Sequence, residues 1–110
     1  MKKITTLSLL LFFSVFFSQI QKVEPAFWWK GMKNPELQIL LYGKNIANSQ
    51  IELSDNIQIK NIQKVENPNY VFITINTNEI NTEKFKINQK IKNKIVASYN
   101  YELKNRKQNS

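Results

Sequence analysis

The sequence predicts an all-β sandwich of about seven short strands. Three observations carry that expectation. Apolar and polar residues alternate with period two, most cleanly from Ile95 to Lys104. Turn chemistry recurs between such runs, at Asn34-Pro35, Gly43, Asn67-Pro68-Asn69 and Lys92-Asn93. No segment sustains a helical period, and nothing repeats internally.

Each element has its own signal. Val23 to Trp29 is extended, because Pro25 forbids a helix interior and biases Glu24 toward β. Gly31 to Pro35 is a loop. Leu37 to Gly43 is open to two readings, since Asn34 could cap a helix and Leu37, Leu40 and Leu41 have helical spacing. The run spans only about two helical turns and stops at Gly43, so a buried strand is preferred. Ser49 to Leu53 is a strand with Ile51 and Leu53 on one face. Ile57 and Ile59 alternate, and Ile62 falls out of phase, which suggests a bulge near Lys60-Asn61.

Glu66 to Asn69 is a turn by composition. In the run Tyr70 to Ile75, Val71, Ile73 and Ile75 face one way, with Tyr70 and Phe72 opposite. Asn76 to Thr82 is a polar connection. Phe85, Ile87 and Ile91 alternate, with Gln89 interrupting. Lys92-Asn93 is a hairpin tip. In the last strand Ile95, Ala97, Tyr99, Tyr101 and Leu103 share one face, and Ser98, Asn100, Glu102 and Lys104 the other.

The strands do not reach the N-terminus. Met1-Lys2-Lys3 followed by the apolar run Leu7 to Phe17 reads as a secretory signal peptide. The run is shorter than the roughly 20 residues that span a bilayer. Cleavage is expected near Ser18-Gln19, the alternative being an uncleaved anchor. Residues 1–19 are therefore signal, 20–104 one domain, and 105–110 a polar tail or linker. The domain is expected in the periplasm or secreted, without stable membrane insertion after cleavage.

The chain has 110 residues, no cysteine and no histidine. Disulfides, thiol chemistry, common zinc sites and the usual general base near neutral pH are thereby excluded. No cofactor or metal is expected. The formal net charge is +8, of which Lys2 and Lys3 of the leader supply part. The lysines are spread thinly, and Lys, Asn and Ile all have A/T-rich codons. The basic balance reads as gene composition rather than as a nucleic-acid footprint, and no nucleic-acid partner is expected. The acidic residues are scattered, with no phosphate loop or nucleophile elbow, so no catalytic residue is assigned.

The aromatic residues carry the candidate site. Phe27, Trp28 and Trp29 are consecutive, beside Gly31. Aromatic faces stack on the C–H faces of sugars, and an indole N–H donates a hydrogen bond. Adjacent residues on a strand point to opposite sides, so one tryptophan can be core while the other is exposed. The competing reading is that these, with Tyr42, Tyr70, Tyr99 and Tyr101, are core or interface anchors. Phe27, Trp28, Trp29, Tyr42 and Tyr70 are the candidates for carbohydrate or interface contact.

The stretch Val23-Glu24-Pro25-Ala26-Phe27-Trp28-Trp29-Lys30-Gly31-Met32-Lys33-Asn34-Pro35-Glu36-Leu37-Gln38 resembles the opening of the cyclomaltodextrinase N-terminal domain. Tyr42 to Ile46, Val65 to Tyr70 and the closing Tyr101 to Lys104 fit the same pattern. That domain precedes the catalytic barrel of neopullulanase and cyclomaltodextrinase enzymes of the Bacteroidetes type, in glycoside hydrolase family 13. The resemblance implies an immunoglobulin-like sandwich and a setting of cyclodextrin, pullulan or starch breakdown. It also implies packing against a catalytic (β/α)8 barrel or a second copy, with contact to α-glucan or cyclodextrin as a further role. The resemblance runs from about Val23 to Lys104 and the chain stops at Ser110, so the barrel and its carboxylates are expected outside this chain. The expected function is a non-catalytic accessory domain. The alternatives are a stand-alone carbohydrate-binding module, or a structural or adhesion sandwich unrelated to sugar.

Overall fold

Eight strands form two four-stranded sheets in the computed structural model, which describes residues 20–105. In chain order they are β1 (Lys22–Glu24), β2 (Trp28–Lys30), β3 (Glu36–Tyr42), β4 (Gln50–Leu53), β5 (Asn61–Lys64), β6 (Tyr70–Asn76), β7 (Lys84–Ile91) and β8 (Lys94–Asn105). The first sheet has the order β1-β3-β6-β5 and the second β2-β8-β7-β4. With β2 set aside as an added edge strand, these are the ABED and CFG sheets of the immunoglobulin arrangement. Residues 1–19, where the signal peptide is expected, and the residues after Asn105 lie outside the described residues.

The core is built from facing cross-strand pairs. Leu37, Ile39 and Leu41 of β3 lie opposite Ile75, Ile73 and Val71 of β6, and all six are buried. Phe85 and Ile87 of β7 lie opposite Tyr101 and Tyr99 of β8. Branched and aromatic side chains pack well on a pleated surface, which is why these runs are strands. The strand preferred for Leu37 to Gly43 is the one observed. Asn34 caps no helix; its Oδ1 accepts the Glu36 N–H at 3.0 Å and turns the chain into β3.

Val23 to Trp29 divides into two strands, one in each sheet. The chain crosses the sandwich between Pro25 and Phe27, and β2 then runs parallel to the end of β8. This parallel pairing sets Trp28 opposite Leu103, Trp29 opposite Lys104 and Lys30 opposite Asn105.

Two expectations are corrected. Ile57 and Ile59 belong to no strand; they lie in the connection that carries the chain from β4 in one sheet to β5 in the other. Both pack on the core from that crossover. Their phase differs from that of Ile62 because the sheet changes, not because a strand is bulged at Lys60-Asn61. The irregularity falls instead in the β7–β8 ladder. Gln89 pairs with Ala97 while Lys90 pairs with Ile95, leaving Val96 as the extra residue. Ile95 is thereby turned outward with Lys90 and is 57% exposed, whereas Tyr101 and Leu103 keep the inward phase.

The hairpin tip is where it was expected. Lys92 and Asn93 have φ of 52° and 66°, the left-handed pair that a two-residue turn of type I′ requires. The turn at Glu66 to Asn69 is also present, with Asn67 Oδ1 accepting the Asn69 N–H at 3.0 Å. The connection after β6 is less polar in its role than in its composition. Ile80 is buried, and Thr77 donates both its N–H and its hydroxyl to the Pro35 carbonyl, at 2.8 and 2.9 Å.

Candidate functional site

The five candidate aromatic residues fall in three different places. Trp28 shares the inward phase of Leu103 and packs against the core. It is half-buried there, with one side toward the core, as the alternation of adjacent strand positions allowed. Trp29 shares the outward phase of Lys104. Tyr42 and Tyr70 lie directly opposite each other on β3 and β6, with ring centroids 4.9 Å apart. They point out of the first sheet, away from Trp29 on the outside of the second.

Phe27 and Trp29 form a cluster with Lys104. The rings meet edge to face, with centroids 5.7 Å apart. The Lys104 ammonium lies 4.2 Å from the Phe27 centroid and 5.8 Å from that of Trp29, within range of cation–π attraction. Phe27 is 38% exposed and Trp29 is half-buried. Behind them the Tyr99 hydroxyl donates to the Ala26 carbonyl at 3.1 Å, tying the crossover to β8. The cluster is therefore held on two strands and a cross-link rather than on a free loop.

A trough lies on the outside of the second sheet. Its cavity of about 640 Å³ is lined by Ser54, Asp55, Lys84, Lys86, Asn100 and Glu102 around the Phe85 and Tyr101 positions. Ser54 braces one wall. Its hydroxyl donates to Asp55 Oδ2 and accepts the Lys86 N–H, both at 2.8 Å.

Among the described residues none of the acidic side chains is buried. Glu24, Glu36 and Glu52 each lie against a lysine, Lys22, Lys60 and Lys90 respectively. Among the described residues no group of three potential ligands could hold a metal ion. Among the described residues the one strongly perturbed ionisable group is Tyr101. Burial, and secondarily Tyr99, pushes its pKa well above the ordinary tyrosine value. Its hydroxyl is buried with no hydrogen-bond partner among the described residues, so this perturbation is a property of packing.

Every strand lies within the stretch matched by the family model for the N-terminal domain of cyclomaltodextrinase, residues 22–107. The chain belongs to that family. In this cyclomaltodextrinase N-terminal domain, Lys104 and the trough residues were not among the candidates read from sequence. The outward phase of β8 could have suggested Asn100, Glu102 and Lys104. Their association with Trp29 depends on the parallel β2–β8 pairing, which no local pattern encodes.

Proposed function

We propose that this domain is the non-catalytic N-terminal accessory domain of an exported α-glucan hydrolase acting on cyclodextrin, pullulan or starch. It contributes glucan contact and packing against the catalytic (β/α)8 barrel. The observation that carries this reading is the Phe27–Trp29–Lys104 cluster, exposed within a member of the cyclomaltodextrinase N-terminal family. The cluster adjoins the C-terminal end of β8. A domain joined after that strand would lie next to it. The apolar run near the N-terminus supports export, and probing periplasmic and secreted fractions with an antibody to the domain tests it.

The deciding experiment compares the full chain with its Phe27→Ala/Trp29→Ala variant. Maltoheptaose titration and co-purification with a cyclomaltodextrinase catalytic domain are the two readouts. Loss of either supports the accessory role. If both are unchanged by the substitution, the cluster is not the contact site. Retention of the glucan response without any barrel association in the parent chain would favour a stand-alone carbohydrate-binding module.

A second reading, packing through the first sheet against another copy or domain, draws on different residues. Leu40 lies opposite Phe72 and Tyr42 opposite Tyr70, two adjoining half-buried pairs on the outer face of β3 and β6. Apolar pairs on a solvent-facing sheet are a feature of interaction surfaces.

A further inference from the structure

We infer that the trough between Ser54-Asp55 and the β7–β8 ladder is a binding site for a linear, uncharged oligosaccharide whose far end lies on Phe27–Trp29. The inference rests on the glucan part of the proposed function and gives it a place and a shape. Three observations carry it.

The polar side chains of this face divide into two groups. Away from the trough they engage one another. Ser98 Oγ donates to Asn88 Oδ1 at 2.6 Å, the Lys90 ammonium meets Glu52 at 3.1 Å, and Asn105 donates to Glu83 at 2.9 Å. Around the trough, apart from the Ser54–Asp55 pair, they do not. Among the described residues the Lys84 and Lys86 ammoniums, the Asn100 amide and the Glu102 carboxylate have no side-chain partner, although Lys84 lies opposite Glu102 and Lys86 opposite Asn100. Four hydrogen-bonding groups thus border one cavity with their capacity unspent.

The chemistry of the lining selects the ligand class. Lys84 and Lys86 donate, Asp55 and Glu102 accept, and Asn100 does both. Cations and anions are mixed, which disfavours a polyanion and leaves donors and acceptors side by side. A sugar hydroxyl both donates and accepts, so adjacent hydroxyls suit such a set.

The geometry selects the length. Asn100, Glu102 and Lys104 occupy successive outward positions of β8, and Lys104 lies opposite Trp29. Four residues of strand cover about 13 Å. A ligand touching both Asn100 and Trp29 must therefore be an oligosaccharide. The trough supplies hydrogen bonds, and the aromatic cluster supplies a face or edge for the last sugar ring.

The test uses the full chain, with maltoheptaose and glucose as probes and calorimetric titration as readout. Asn100→Ala and Glu102→Ala are compared with Gln38→Ala, an exposed position on the opposite face. Both trough positions lie on the outward face, so the fold should survive, and circular dichroism verifies it. The expected result is that maltoheptaose binds more tightly than glucose and that each trough variant weakens it by roughly tenfold. Gln38→Ala should leave it unchanged. If maltoheptaose binds, and the trough variants bind equally well, the trough assignment is overturned while glucan binding stands. If glucose binds as tightly as maltoheptaose, the length argument and the site are overturned. If the parent chain binds neither sugar, both the trough and the glucan part of the proposed function are overturned.

Discussion

Tyr101 and the two adjacent tryptophans show how much depends on the side of a strand a residue occupies. Trp28 packs on the core and Trp29 stands outside. Trp28→Ala should therefore cost about 2–4 kcal/mol, somewhat below a fully buried aromatic truncation. Trp29→Ala should cost less than about 1 kcal/mol. Urea unfolding of the two variants measures both, and equal losses would contradict the assigned faces. Alternation made the split legible in the sequence, but which ring went inward depended on pairing with Leu103. Tyr101 is a different case. Its ring fills the core beside Phe85, with centroids 5.4 Å apart, while its hydroxyl is buried and unpaired. Tyr101→Phe removes an uncompensated polar group and should raise stability by about 1 kcal/mol. Because the pKa of Tyr101 is raised in the folded state, the unfolded chain loses this proton first, near pH 10. This ionisation leaves stability unchanged below that pH and lowers it as pH rises above, by up to about 1.4 kcal/mol per unit. Denaturant melts from pH 9 to 11 should show a steeper alkaline loss in the parent than in Tyr101→Phe.

Strands and hairpins were legible where the chain pairs with its near neighbours. β6 and the β7–β8 hairpin follow the period-two pattern, and the turn at Lys92-Asn93 needs only two residues to specify it. The pattern fails at Ile95, because the extra residue Val96 changes the face without changing the alternation seen in sequence. It fails at Ile57 and Ile59 because these residues leave one sheet for the other. The turn itself offers a test. Lys92 has φ 52° with a Cβ that resists that conformation. Lys92→Asn with Asn93→Gly supplies the favoured pair for a type I′ turn. The double variant should gain about 1 kcal/mol, read as a higher urea midpoint. Asn93→Val should lower the midpoint, since a branched side chain is strained at φ 66°. If neither change moves the midpoint, the turn does not control the register of the hairpin.

At the scale of the whole molecule, two outer faces offer different chemistry. The second sheet presents the cluster and trough, with mixed charge and one aromatic edge. The first sheet presents the adjoining Leu40–Phe72 and Tyr42–Tyr70 pairs, with Lys22 and Glu24 of β1 beside them. Sequence placed Tyr42 and Tyr70 together with Trp29 in one list because all are aromatic, and only the layering of the sheets separates them. That separation makes the functions of the faces independently removable. Phe72→Lys places a charge on the outside of the first sheet and leaves the core pairs untouched. If the domain packs through this face against another copy, sedimentation velocity at rising concentration should show the parent associating and Phe72→Lys remaining monomeric. Maltoheptaose titration of the same variant should match the parent, because the trough lies on the opposite side. The reciprocal variant, Trp29→Ala, should alter the sugar response and leave the sedimentation profile as it was. A single substitution that removed both responses would mean that the two faces act as one interface, and the division of labour between the sheets would fail.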